Sequence, residues 1–110
     1  IMEEWEQNLD TLKREEEELQ IVRQKYRKKV DDTNEFLIEC IMSANAFRQD
    51  SIERNDGTDF WEEQFLLLKE IERKNLDYQE ECEERLSEEL EKIEEQKEIC
   101  RLDSEKIGTE

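Results

Sequence analysis

Only one short segment of this chain is built to turn. No proline occurs among the 110 residues and only two glycines do, so Asn55-Asp56-Gly57-Thr58-Asp59 is the one strong cluster of turn-forming residues. Asp-Gly supplies the turn geometry. Either Thr58 or Asp59 can N-cap the helix of the second half, and Glu62, three residues after Asp59, makes a capping-box-like arrangement. The segment divides the chain almost in half, and each half is rich in Glu, Lys, Leu, Arg and Gln, residues that favour long helix.

The first half carries a heptad. Its a positions are Met2, Leu9, Glu16, Arg23, Val30, Leu37 and Ala44, and its d positions are Trp5, Leu12, Leu19, Tyr26, Thr33, Cys40 and Phe47. All but Glu16, Arg23 and Thr33 are apolar, which predicts one helix from about residue 2 to about residue 53. The second half carries a stripe through Trp61, Phe65, Leu68, Ile71, Tyr78, Cys82, Leu86, Leu90, Ile93, Cys100 and Ile107. Its successive four-residue steps from Tyr78 to Leu90 depart from a strict heptad and locally unwind a left-handed supercoil. This helix is expected over about 59–103 and to fray beyond, where Ser104, Gly108 and Thr109 weaken the pattern.

Two amphipathic helices tethered by a short turn each have a stripe to bury, so they fold back on each other. The fold class read from the sequence is therefore all-α: a single-domain antiparallel hairpin over 1–110, coiled-coil-like, turning at about 55–59. If the fold-back centres on Asp56-Gly57, residue i faces about residue 113 − i. That register sets Leu19 near Ile93, Tyr26 near Leu86, Val30 near Cys82 and Phe47 near Phe65. It also sets the basic cluster Arg23, Lys25, Arg27, Lys28 and Lys29 opposite Glu84, Glu88 and Glu89. The expected seam is thus Trp5, Leu12, Leu19, Tyr26, Val30, Leu37 and Phe47 against Phe65, Leu68, Cys82, Leu86 and Ile93.

Near the turn there is more apolar surface than one seam can bury. Phe36, Ile38, Ile41 and Met42 lie off the stripe of the first helix, and Phe60, Leu66 and Leu67 add to the second. These seven are the candidate partner-binding residues, because monomers rarely expose apolar patches above a few hundred Å². A protein partner or a second copy would cover them, the alternative being tighter packing around the tip.

Charge restricts the partner further. The net charge is −17 and charged residues make up 46% of the chain, so nucleic acid and anionic membrane surfaces would repel it. Residues 1–54 hold 9 basic and 14 acidic side chains, and residues 55–110 hold 8 and 20, so the second helix presents an acidic outer ridge. No run approaches a membrane span, and the first residues, Ile1-Met2-Glu3-Glu4-Trp5, lack the basic and apolar regions of a secretory signal. Expected, then, is a protein made in the cytoplasm that neither inserts in membranes nor binds nucleic acid.

Enzyme chemistry finds little to use. There is no histidine, which removes the commonest general base and the usual Ser-His and Cys-His pairs. Two glycines cannot build a phosphate-binding loop. Cys40, Cys82 and Cys100 are widely spaced with no Cys-x-x-Cys pair, and read as small apolar residues rather than as a disulfide or zinc set. Glutamate runs such as Glu15–Glu18 read as solvated helix faces, and the turn lacks the bidentate Glu of a calcium loop. No catalytic residue, metal site or cofactor is expected.

The length, the two helices, the Asp-Gly turn leading into Asp59-Phe60-Trp61-Glu62-Glu63 and the Glu/Leu/Lys-rich second helix together resemble the WXG-motif hairpins of Gram-positive type VII secretion. Within that superfamily the chain is most similar to the small helical adapter (targeting) proteins encoded beside LXG toxins. Gly57 and Trp61 stand in the wrong order for Trp-x-Gly, and Tyr26 and Tyr78 are followed four residues on by Val30 and Cys82 rather than by an acid. No Phe-x-x-x-Asp occurs either. The resemblance implies an adapter chaperone without an export signal of its own. Such a chain would hold a larger effector's helical N-terminal domain beside a second small adapter, and would leave the cell only with its partners. The alternative from the heptads alone is a structural, self-associating coiled-coil module of a scaffold protein.

Overall fold

The structure is a computed structural model describing residues 3–109, with side chains through Ile107. It is an all-α hairpin of two helices, α1 over Glu4–Arg54 and α2 over Thr58–Thr109. Acidic Glu4, Glu6 and Asp59 lie in the first turns, and Arg54 and Lys106 in the last, each sign suited to its end of the helix dipole. Exposed pairs such as Arg14–Asp10, Arg73–Glu70 and Arg101–Glu98 run along the outer faces. α2 continues helically to Thr109, past the expected end at 103. Met2, the first heptad position, lies outside the described residues.

The connection is a three-residue link with well-satisfied backbone. Asn55 sits in the left-handed region at φ 54°. The Asp56 N–H donates to the Ser51 carbonyl at 3.0 Å and the Asn55 N–H to the Ile52 carbonyl at 3.2 Å. This pair of bonds is a Schellman end, with Asn in the place glycine more often holds. Gly57, at φ +70°, is the N-cap of α2, since its carbonyl accepts the Trp61 N–H at 3.2 Å. Thr58 therefore does not cap. Its hydroxyl donates back to the Ser51 carbonyl at 3.3 Å, and Glu62, expected in a capping box, pairs with Arg48 instead.

Contacts gather the chain into two compact units. Residues 27–81 form one, and α1 up to Tyr26 with α2 from Cys82 onward form the other. Within the second unit Leu12 and Cys100 are buried, with Leu9, Leu19, Tyr26, Leu86, Leu90 and Ile93 half-buried. A polar layer interrupts this seam. Lys97, only 8% exposed, donates to Glu16 at 2.9 Å and to Glu94 at 3.1 Å. Glu16 was an a position of the expected heptad, so the frame is right there and the chemistry of the layer is polar. Hydrogen bonding to Glu16, then to Glu94, raises the Lys97 pKa. Glu94 is held below the usual carboxylate range by hydrogen bonding with Glu16 and then with Lys97.

The seam departs from the expected frame after Val30. Along α1 the shielded positions run Trp5, Leu9, Leu12, Glu16, Leu19, Arg23, Tyr26 and Val30, then Asn34, Leu37, Ile41, Ala44, Arg48 and Ser51. The two successive four-residue steps at Tyr26–Val30–Asn34 move the stripe by one residue. Thr33 and Phe47, expected to face inward, are exposed as a result. Ile41, expected on the outer face, is half-buried. In α2 the stripe runs through Glu72 and Gln79 rather than Ile71 and Tyr78, and successive fours occur only at Cys82–Leu86–Leu90. Such insertions of four relax a left-handed supercoil.

Register agrees with the fold-back rule at two polar layers: Asn34 bonds Gln79, and Glu16 bonds Lys97. The charge matching opposite Arg23–Lys29 is sparser than expected. Arg23 reaches Glu83 at 3.5 Å, while Lys25, Lys28 and Lys29 are exposed and pair with no carboxylate among the described residues. Lysine tails at such positions gain too little from an exposed pair to be held in one rotamer.

Candidate protein-binding surface at the tip

The unit of residues 27–81 contains the turn and most of the exposed large apolar side chains. Its interior is partly polar. Asn34 and Gln79 exchange amide hydrogen bonds, the better one at 2.9 Å from Gln79 Nε2 to Asn34 Oδ1, and Asn75 adds a third at 3.5 Å. Reciprocal amide pairing penalises a slipped register, because each shifted alternative leaves a half-buried amide without its partner.

Closer to the turn Arg48 takes the central place. Its guanidinium donates to Glu62 at 3.1 Å and to Asn45 at 2.7 Å, and lies 4.3 Å from the centre of the Phe65 ring. Phe65 therefore packs under a cation rather than against Phe47, its expected neighbour. Phe47 instead stacks on Trp61, ring centres 4.7 Å apart, and Phe60 meets the same indole edge-on at 5.0 Å. Ala44 and Ser51 are buried beside them.

The displaced aromatics border a groove of about 510 Å³ on one flank of the hairpin, lined by Phe36, Cys40, Ala44 and Phe47 of α1 and by Phe60, Trp61, Gln64 and Leu68 of α2. Its rims stand well out of the fold: Phe36 is 64% exposed and Phe60 55%. Leu66 and Leu67, with Asp59, Glu62 and Glu63, line a shallower depression on the outer side of α2. Ile38 and Met42, the latter 66% exposed, extend the apolar surface of α1.

Of the seven residues singled out from the sequence as partner-binding, six are exposed: Phe36, Ile38, Met42, Phe60, Leu66 and Leu67. Ile41 belongs to the seam. Phe47, assigned to the seam, belongs to the groove, together with Cys40 and Trp61, which the sequence placed only in stripes. The remaining seam residues, Trp5, Leu12, Leu19, Tyr26, Val30, Leu37, Phe65, Leu68, Cys82, Leu86 and Ile93, are buried or half-buried.

The polar positions Asn34, Arg48, Glu72 and Gln79 escaped a hydropathy reading. The signal that could have found them is spacing: Asn34, Arg48 and Ser51 continue the three-four steps of Leu37, Ile41 and Ala44.

Among the described residues no cluster of Cys, Asp and Glu is arranged to hold a metal ion, and no helix is long and apolar enough to cross a membrane. The three cysteines are free thiols. Compared with known protein families, with curated proteins and with solved structures, the chain matches none.

Proposed function

We propose that this chain is a non-enzymatic adapter that binds a helical protein through the apolar tip of its hairpin. The finer reading, which rests on the resemblance to WXG-like adapters, is that the partner is the helical N-terminal domain of an LXG-type toxin, held and presented for type VII export.

One observation carries the proposal. Phe36, Met42, Phe60, Leu66 and Leu67 are each more than half exposed on the same compact unit, and Phe36 and Phe60 stand at a groove that already has aromatic walls. Exposure on this scale costs solubility and is maintained where a partner covers it. The groove between two helices suits a third helix, recognised through apolar anchors at three- and four-residue spacing. A polar layer at Asn34, Asn75 and Gln79 keeps the two walls in register without the partner.

The test is co-expression with the products of adjacent genes, followed by size-exclusion chromatography with light scattering. The expected result is a discrete complex containing a helical partner, lost on Phe36→Glu with Phe60→Glu while the isolated chain keeps its helicity. A stable homodimer that melts cooperatively, ignores every co-expressed neighbour and is unaffected by those substitutions would favour the scaffold-module reading instead.

A further inference from the structure

We infer that the occupant of the tip groove is a basic amphipathic helix, its apolar anchors seated between α1 and α2 and its flanks rich in Lys or Arg. This rests on the proposed role of the tip as a docking surface and adds the chemistry of what docks.

The segment that carries the groove is acidic and has no cation to spare. From Glu35 to Glu63 the chain holds only two bases, Arg48 and Arg54. Both are used internally: Arg48 pairs with Glu62 at 3.1 Å and Arg54 with Asp50 at 3.2 Å. Glu35, Glu39, Glu53, Asp56, Asp59 and Glu63 have no basic partner among the described residues. Glu39 itself lines the groove, and Glu63 and Asp59 line the depression on the outer side of α2 with Leu66 and Leu67.

An apolar groove with Glu39 in its lining, carried by a segment of strong negative charge, selects against two classes of occupant. A second copy of this chain docking tip to tip would bring the same surplus of carboxylates against itself, and an acidic helix would do likewise. A helix with basic flanks gains at Glu39 and from the acidic segment around it, and long Lys and Arg stems can lie along the exposed rings while their charges reach the carboxylates.

Dimensions set the length of the occupant. The lining of α1 runs from Phe36 to Phe47, roughly 17 Å at about 1.5 Å per residue, and so accommodates about three turns. Anchors at i, i+4, i+7 and i+11 would span it.

The proposal is tested with the full chain carrying Trp5→Phe, so that Trp61 in the groove wall reports binding by fluorescence. Two stapled helical peptides of identical apolar anchors are titrated, one flanked by Lys and one by Glu. Pairs with Glu39 and the unpaired tip carboxylates near it, worth up to a few-fold each, compound to about a tenfold preference for the Lys peptide at low salt, shrinking toward parity in concentrated salt. Glu39→Lys with Glu63→Lys should reverse the preference, whereas Glu88→Lys with Glu95→Lys, on the remote acidic face, should leave it in place.

Equal binding of both peptides with a Trp61 response would overturn the basic-helix inference and leave tip docking intact. Binding of neither peptide would overturn both. Preference for the Lys peptide that responds to Glu88→Lys with Glu95→Lys but not to Glu39→Lys with Glu63→Lys would show general attraction to an acidic chain, and would also overturn the inference.

Discussion

Arg48 offers the sharpest single perturbation of the tip. Its guanidinium is held by Glu62 and Asn45 and covers Phe65. The ion pair is shielded mainly on the arginine side, with 25% of that side chain exposed against 45% for Glu62. It therefore contributes about 1 kcal/mol, nearer to a surface pair than to a buried one. The cation over the Phe65 ring adds about 0.5–1 kcal/mol, and lost stem packing and the Asn45 bond add roughly another 0.5–1 kcal/mol. Arg48→Ala should thus lower the stability of the unit of residues 27–81 by about 2–3 kcal/mol. For a chain of this size that is a fall in Tm of roughly 8–12 °C. Urea titration followed by circular dichroism reads the loss directly. Glu62→Gln alone should remove only about 1 kcal/mol, since the ring contact survives it. An Arg48→Ala loss below about 0.5 kcal/mol would refute the placing of Arg48 at the centre of the tip.

Three further expectations concern the seam and the turn. Asn34→Ala should cost about 1–2 kcal/mol in the same urea titration by stranding the Gln79 amide, whereas Asn34→Leu with Gln79→Leu should be neutral or stabilising while allowing new associated species on size-exclusion chromatography. At the turn, Gly57→Ala should cost about 1 kcal/mol through its positive φ alone, because the nearest atom to an added Cβ is Trp61 Cδ1 at 4.0 Å; Asn55→Gly should leave stability unchanged or raise it, both read as shifts in Tm. Lys97→Met should lower Tm at neutral pH. With Glu94 depressed in the fold, its share of the stability is present above the ordinary carboxylate range and lost as pH falls through its lower folded value, so the gap from wild type should close in acid. The raised Lys97 pKa makes the complementary share fade only on the alkaline side, as pH rises through the folded value.

The two helices and the place of the turn were legible in the sequence because they depend on local chemistry: no proline, a sustained stripe, and one cluster of Asn, Asp and Gly. The exposed tip was legible because Phe36, Met42, Phe60 and Leu67 exceed what a single seam can cover. What escaped was the rotation of the stripe after Val30. Hydropathy ranks Phe47, Ile71 and Tyr78 above their neighbours Arg48, Glu72 and Gln79, yet the frame is set by the packing of whole layers, and long polar side chains can enter a two-helix seam with their ends at its margin. The turn was located correctly, but the roles within it were not. Asn55 takes the left-handed position, Gly57 caps, and Thr58 reaches back to Ser51.

Docking at the tip is open to a direct test by hydrogen–deuterium exchange of the full chain, alone and in complex with a co-expressed helical partner, which locates the interface without substitutions. Added protection is expected over residues 36–47 and 60–68, with the remainder of α2 little changed. Protection confined to residues 84–103, with the tip exchanging as in the free chain, would contradict docking at the tip.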